Sequence, residues 1–181
     1  MRNIKTTKVL TKDEIQTLKP AKNRKLIDQG TFYYPILFSE WNIEYKSFFK
    51  KERKSRSITG VDLIKGGPGF ADHFPTFFEV EADIDSILPP IIFQEKQFHD
   101  SREFIRKYYI HYKRIWSPPS IHLQKEEIIH MPYTIYAEVD PKSGKHKYSL
   151  LEHSSNNLDT LSKYPHIEKL CLPYLKGGDE T

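Results

Sequence analysis

The chain has very little sulfur: of its 181 residues, one is cysteine and two are methionine. The single cysteine, Cys171, excludes an intrachain disulfide and a metal site built from several thiolates. No segment approaches the roughly 20 consecutive apolar residues that a membrane-spanning helix needs. The first residues also lack the apolar stretch of a secretory signal. These absences predict a soluble, cytoplasmic protein that makes no contact with a membrane, and its oligomeric state stays open.

Aliphatic residues are also scarce, and aromatic rings replace them. Apolar residues make up only 38% of the chain, whereas aromatic residues reach 13%, with 11 tyrosines and 11 phenylalanines. Large rings must therefore supply much of the buried area. The length fits one globular domain, residues 1–181. No motif for a cofactor is present, so none is predicted.

The net charge is only +4, but the charge is unevenly distributed along the chain. Residues 1–60 hold 14 Lys and Arg against 6 Asp and Glu, a balance of +8, and residues 61–181 hold 14 against 18, a balance of −4. The excess positive charge therefore belongs to the first third of the chain. This asymmetry is the main chemical feature of the sequence.

Two segments alternate apolar and polar residues, as half-buried strands do. Residues 32–49 predict a strand, followed by a charged tip and a returning strand over residues 57–65. Residues 128–139 and 147–152 predict a second hairpin, joined by turn residues over 140–144. Both hairpins are antiparallel.

The strongest predicted helix covers residues 100–116. Asp100 is a good N-cap residue, and Glu103 stands three positions later, as in a capping box. Apolar residues recur there at steps of three and four, which predicts one broad stripe facing the core. The stripe comprises Phe104, Ile105, Tyr108, Tyr109, Tyr112, Ile115 and Trp116.

Weaker signals divide the rest of the chain. Thr11 predicts the start of a short helix, with Glu14 at the capping-box position. The glycine-rich run that begins at Gly66 lacks the spacing of a phosphate-binding loop and predicts a turn. Residues 158–172 predict a short helix broken by Pro165, and residues 176–181 predict a frayed tail.

A weak internal repeat adds an alternative to this organisation. Each hairpin opens at a proline, Pro35 or Pro132, and the spacing from Asp62 to Pro75 equals that from Glu152 to Pro165, 13 residues. The predicted fold is α+β, with antiparallel hairpin-based sheet packed against one long amphipathic helix. The repeat raises the alternative of two similar halves, residues 1–95 and 96–175.

The leading functional hypothesis is a non-enzymatic binding module whose basic hairpin contacts nucleic acid or an acidic protein. Lysine and arginine bind phosphates without regard to sequence. Basic residues of the helix would extend the surface if the fold places them on the same side. The predicted binding residues are Lys46, Lys50, Lys51, Arg53, Lys54, Arg56, Arg106 and Lys113.

Two other classes of function compete with this hypothesis. A metal-dependent hydrolase or nuclease would use Asp72, His73, Glu79 and Glu81, although the segment lacks the usual ligand spacings. A structural or inhibitory protein that binds another protein would instead need an exposed aromatic patch. Its candidate residues are Phe32, Tyr33, Phe48 and Phe49.

Overall fold

The computed structural model describes residues 1–17, 25–46, 51–92, 94–113, 115, 117–139 and 146–175. These residues contain eight strands and three α-helices. The strands are β1 (Arg2–Thr6), β2 (Lys25–Lys46), β3 (Glu52–Asp62), β4 (Pro68–Ala71), β5 (Phe78–Ala82), β6 (Ser120–Val139), β7 (His146–Glu152) and β8 (Asn157–Thr160). The helices are α1 (Lys12–Thr17), α2 (Gln94–His111) and α3 (Pro165–Leu175), and two 3-10 turns cover Ile84–Ser86 and Leu161–Lys163. The strands are hydrogen-bonded in the order β4-β3-β2-β6-β1-β5, with β7 beside β6 and β8 beside β7.

The architecture only partly matches the predicted α+β arrangement. The molecule is mostly sheet, in which β2 and β6 are the longest elements with 22 and 20 residues. The antiparallel hairpins are present as expected, β2 with β3 and β6 with β7. The predicted single long helix that would cover the sheet is absent from the described residues, which contain a few short helices instead.

The chain forms two compact units. Unit 1 comprises Met1–Tyr34, Phe78–Leu88 and Met131–Thr181, and unit 2 comprises Pro35–Phe77 and Pro89–His130. Each unit therefore draws residues from both of the predicted halves.

Unit 2 is organised around Trp41 and Ile43, which are fully buried. They alternate along β2 with exposed polar residues, which is the pattern of a strand with one face in the core. Ile105 and Tyr109 of α2 pack against them. Because these residues lie four apart, they share one face of the helix and fill the same core.

In unit 1, the buried residues Leu10, Tyr136 and Leu151 pack together. The predicted capping box of its first helix is confirmed. The Glu14 amide donates to Thr11 Oγ1 at 3.3 Å, and the Thr11 amide donates to the Glu14 carboxylate at 2.8 Å. This reciprocal pair satisfies two amides that a helix start would otherwise leave unpaired.

The two hairpins share local geometry. The carbonyl of Pro35 accepts a hydrogen bond from the Leu63 amide, and the carbonyl of Pro132 accepts one from the His153 amide, each at 3.2 Å. The next strand then pairs in the same register, Val61 with Pro68 and Leu151 with Leu158. Turn residues with positive φ precede it in both cases, Gly66 at 85° and Asn156 at 55°.

Three predicted element boundaries are wrong. The helix predicted over residues 100–116 corresponds to α2, which begins at Gln94, six residues before Asp100, and ends at His111. Glu103 does not close a capping box, because its carboxylate binds Arg106 instead. Pro165 begins α3 rather than breaking a helix, since proline at the first helical position loses no hydrogen bond.

Other differences concern the strands. β1, which pairs with β5, was not predicted, and β3 already begins at Glu52. The predicted basic loop is therefore largely strand. The predicted turn at 140–144 and the tail at 176–181 lie outside the described residues, as do Phe48, Phe49 and Lys50.

Candidate binding surfaces

The basic residues of the first hairpin lie on its exposed face, where acidic residues accompany them. Alternate residues of a strand point to the same side, so Lys54 and Arg56 share this face with the β2 residues opposite them. Lys54 Nζ lies 2.7 Å from the Glu44 carboxylate, and Arg56 Nε lies 2.6 Å from that of Glu40. Because positive and negative charges alternate across the two strands, this face carries little net charge.

The end of this hairpin is less completely neutralised. Lys46 Nζ is 3.7 Å from the Glu52 carboxylate. Arg53 is exposed, and the described part of the chain provides it with no ion-pair partner. It lies opposite Tyr45, whose ring packs edge-on against Tyr109 at 5.0 Å. Lys51, just before β3, is exposed but does not lack an interaction partner.

The other two predicted cations, Arg106 of α2 and Lys113 just after the end of α2, also have neighbours. Arg106 binds the Glu103 carboxylate through Nε and Nη2, at 3.0 and 2.8 Å. This hydrogen bond lowers the pKa of Glu103. Lys113 Nζ lies 6.0 Å from the ring centroid of Tyr108, a distance compatible with a weak cation–π contact. The structure thus places five of the eight predicted cations in contact with a carboxylate or a ring of unit 2, rather than leaving them as a free positive area: Lys46, Lys54, Arg56, Arg106 and Lys113.

The residues of the metal alternative are all exposed. Glu79 and Glu81 extend from β5, opposite Lys5 and Asn3 of β1. Among the residues described, no three side chains of His, Cys, Asp or Glu come together as metal ligands would. The chemistry of a metal-dependent hydrolase therefore finds no support in the placement of Asp72 and His73 or of the two glutamates.

The two aromatic candidates that the structure describes, Phe32 and Tyr33, are half-buried. Phe32 is half-buried and stacks on Tyr133 with ring centroids 6.2 Å apart. Tyr33 is also half-buried, and this burial raises the pKa of its phenol. Phe32 and Tyr33 therefore do not form the exposed aromatic patch that this hypothesis needs.

A different set of rings forms an exposed cluster in unit 2, which we call the aromatic surface: Phe70, Phe104, Tyr108 and Tyr112. Phe70 extends from β4 and packs against Phe104 at 4.7 Å and Tyr108 at 4.8 Å. Tyr108 stacks on Tyr112 at 5.4 Å, with an interplanar angle of 26°. Phe70 is 44% exposed and Tyr112 is 78% exposed.

The helix explains why the sequence predicted Phe104, Tyr108 and Tyr112 to face the core. The predicted stripe is wider than the face that α2 buries, which runs through Gln97, Ser101, Ile105 and Tyr109. Phe104, Tyr108 and Tyr112, themselves four residues apart, form a neighbouring line along the helix. The width of the predicted stripe was the signal that some of its rings would stay outside the core, because a core-facing helix usually buries a narrower band of residues.

No protein-family model, curated protein or solved structure matches the chain. In the described parts of the chain, no helix is both long enough and apolar enough to cross a membrane.

Proposed function

We propose that the chain is a non-enzymatic binding protein that engages an acidic protein partner through the aromatic surface of unit 2. The observation that carries the proposal is the continuous contact of four rings, two of them exposed, on β4, on α2 and at the residue that follows α2. Tyrosine and other aromatic residues are enriched at protein interfaces, where they bury a large area at a small cost in conformational entropy. The proposal joins the predicted binding class to a surface that differs from the predicted one.

The charge around the aromatic surface favours an acidic partner. Arg102 and Lys107 of α2 and Lys113, two residues after its end, are exposed, and the described residues include no carboxylate within ion-pair distance of them. Glu103, the acidic residue among them, is already bound to Arg106. A partner that offers carboxylates at the edge of an apolar contact would complement both features, and the complementarity would accelerate association.

A nucleic acid partner is less well supported. Binding to nucleic acid draws most of its affinity from phosphates, which need cations without prior partners. The hairpin cations Lys54 and Arg56 are held by Glu44 and Glu40. The rings of Phe70 and Tyr108 also meet edge to face, at 70°, so they cover one another rather than standing as parallel platforms for bases.

The first test measures binding of a synthetic peptide that alternates glutamate with leucine and tyrosine. Fluorescence anisotropy should show tighter binding of this peptide than of the same peptide with glutamine in place of glutamate. Tyr112→Ala should weaken binding roughly fivefold or more, since truncating a central interface ring costs over about 1 kcal/mol. The variant should fold normally because Tyr112 is mostly exposed.

Ile91→Ala is the matched control, because Ile91 is an exposed apolar residue of the same unit, 62% accessible, outside the aromatic surface. It should leave the affinity unchanged. Equal binding of the acidic and neutral peptides, or equal effects of the two alanine variants, would contradict the proposal.

The second test addresses the basic hairpin. The variant with Lys50, Lys51, Arg53 and Lys54 replaced by serine should bind the acidic peptide within about twofold of the wild type, because these cations lie outside the aromatic surface. A single-stranded oligonucleotide should bind weakly to both proteins. If it binds the wild type tightly, and the serine variant loses both affinity and salt dependence, the nucleic acid hypothesis would replace the proposed one.

A further inference from the structure

Unit 1 contains a cavity of about 240 Å³ that opens to the surface. Three segments of the unit supply its apolar wall through Leu88, Ile135 of β6 and Cys171 of α3, none of which is more than 5% exposed. Ligand pockets are mostly apolar with a few polar groups, and those for drug-sized molecules measure roughly 300–1,000 Å³. This cavity therefore suits a smaller molecule or a single side chain.

Two carboxylates stand at this cavity, Asp83 and Asp85. Both residues are exposed, and no lysine or arginine among the described residues forms an ion pair with either. The turn that holds them is fixed by Ser86, whose amide and hydroxyl donate to the Asp83 carbonyl at 3.1 and 2.7 Å. By contrast, Asp159 elsewhere in unit 1 is paired with a lysine. The cavity therefore combines an apolar wall with two acidic residues that form no ion pair with a described lysine or arginine.

Thr31, which also lines the cavity, lies at the end of a chain of hydrogen bonds. The Leu10 amide donates to His153 Nδ1 at 2.9 Å, so the ring proton of the neutral imidazole is on Nε2. His153 Nε2 then donates to Thr134 Oγ1 at 2.8 Å, and Thr134 in turn lies 2.5 Å from the Thr31 hydroxyl in the cavity wall. This chain of hydrogen bonds fixes the position of Thr31 in the cavity wall before any ligand binds.

We infer that the cavity binds a small organic cation, an ammonium or guanidinium group on an apolar stem. The stem would occupy the space between Leu88, Ile135 and Cys171, and the cation would lie between the carboxylates of Asp83 and Asp85. Hydrogen bonds from a cation to a carboxylate are stronger than neutral ones, and the apolar wall replaces water around the stem. The site is independent of the aromatic surface, which belongs to unit 2.

The ligand chemistry has two sources, a free amine or the lysine or arginine side chain of a partner. A free amine and a side chain would occupy the same site, but only the side chain is attached to a polypeptide backbone at the other end of its apolar stem. Benzylammonium represents the free amine, and N-acetyl-lysine amide represents a side chain attached to backbone. If the lysine amide binds as tightly as benzylammonium, the source is a peptide; if it binds much more weakly, the source is a free amine.

The experiment is a titration of the full chain followed by the methyl NMR signals of Leu88 and Ile135. Benzylammonium should shift these signals saturably at millimolar concentration, and benzyl alcohol, its neutral counterpart, should bind at least about tenfold more weakly. Asp85→Asn and Asp83→Asn should each weaken benzylammonium binding by roughly fivefold to tenfold, since each removes one charged acceptor. Added salt should weaken it as well.

Glu81→Gln is the matched control, because it removes an exposed carboxylate of the same unit away from the cavity wall. It should leave the affinity for benzylammonium unchanged. Equal affinities for benzylammonium and benzyl alcohol, an equal loss in Glu81→Gln, or the absence of saturable shifts would each overturn the inference. None of these results bears on the peptide experiments with unit 2.

Discussion

Replacing Trp41 by alanine is expected to lower the free energy of unfolding by about 3–5 kcal/mol, the usual effect of deleting a large buried ring. Trp41 is fully buried in unit 2, and its ring lies 5.3 Å from that of Phe98. Its Nε1 also donates a hydrogen bond of 2.8 Å to the buried Thr59 hydroxyl. Alanine would therefore leave a large void and an unpaired polar atom in the same place. Chemical denaturation followed by circular dichroism measures the change.

The hydrogen bond and the ring can be separated with a double-mutant cycle. Trp41→Phe retains most of the ring but leaves the Thr59 hydroxyl without its donor, so we expect a loss of about 1–3 kcal/mol. Thr59→Val in the same background should recover part of that loss, because both polar partners are then removed. Tyr112→Ala, which removes an exposed ring from the same unit, should change stability by less than about 1 kcal/mol. A loss below about 1 kcal/mol for Trp41→Ala would show that the ring is not the centre of this core.

The elements that the sequence predicted correctly are those whose patterns involve residues close together in the sequence. The capping box of Thr11 and Glu14 needs only three residues of separation. The alternation around Trp41 predicted the first hairpin for the same reason, because period-two patterns report which face a strand buries. β1 was missed because it is five residues long and pairs with β5, which follows it by more than 70 residues. Such a pairing leaves almost no local signal.

The start of α2 shows how a local signal can mislead. Asp100 and Glu103 have the spacing of a capping box, yet the helix already begins at Gln94. Gln97 and Ser101 extend the buried face of the helix by a further turn, although both are polar and are therefore poor indicators of a core position. The Glu103 carboxylate instead accepts hydrogen bonds from Arg106, three residues later.

The net charge of the basic hairpin depends on the register in which its two strands pair. Counting cations along residues 46–56 misses Glu40 and Glu44, which precede that segment in the sequence. Once β2 and β3 pair, Glu44 lies directly opposite Lys54, and Glu40 is within reach of Arg56. Cross-strand neighbours of opposite charge attract one another, so the positive charge of the segment is largely compensated by the same pairing that forms it.

The internal repeat stays a prediction, but the two hairpins give it physical support. Thr59 and Ser149, separated by 90 residues, are both buried hydroxyls on the returning strand. Thr59 accepts from Trp41, and Ser149 donates to Glu138 at 2.6 Å. The few identical residues concealed this similarity, because a diagonal contact across two strands can be made by a tryptophan in one hairpin and a glutamate in the other.

The second large effect is expected at His153, the buried histidine of unit 1. His153→Ala should lower the free energy of unfolding by roughly 2–4 kcal/mol near pH 7.5. The substitution creates a cavity, leaves the Leu10 amide without its acceptor and removes one of the two hydrogen-bond partners of the Thr134 hydroxyl. The side chain is only 3% exposed. Denaturant unfolding of the wild type and the variant at one pH measures this loss.

The pH dependence of the same two proteins identifies the cause. Burial lowers the pKa of His153, although the nearby Asp28 carboxylate opposes this shift. A histidine in the unfolded chain titrates near 6.5, so below that pH the unfolded state binds a proton that the folded state refuses. The wild type should therefore lose stability as the pH falls below about 6.5, by up to about 1.4 kcal/mol for each pH unit until the folded ring titrates.

His153→Ala should lack this loss between about pH 6.5 and pH 5, whereas His122→Ala, which removes an exposed histidine, should retain it. The paired carboxylates Glu44, Glu103 and Asp159 also have lowered pKa values, but each normally titrates at or below 4.5 and so contributes at lower pH. An NMR titration of the imidazole in the wild type gives the folded pKa directly, even if His153→Ala fails to fold. A pKa at or above 6.5 would contradict the neutral, Nε2-protonated ring, because Leu10 already directs its N–H at the only site where a second proton can bind.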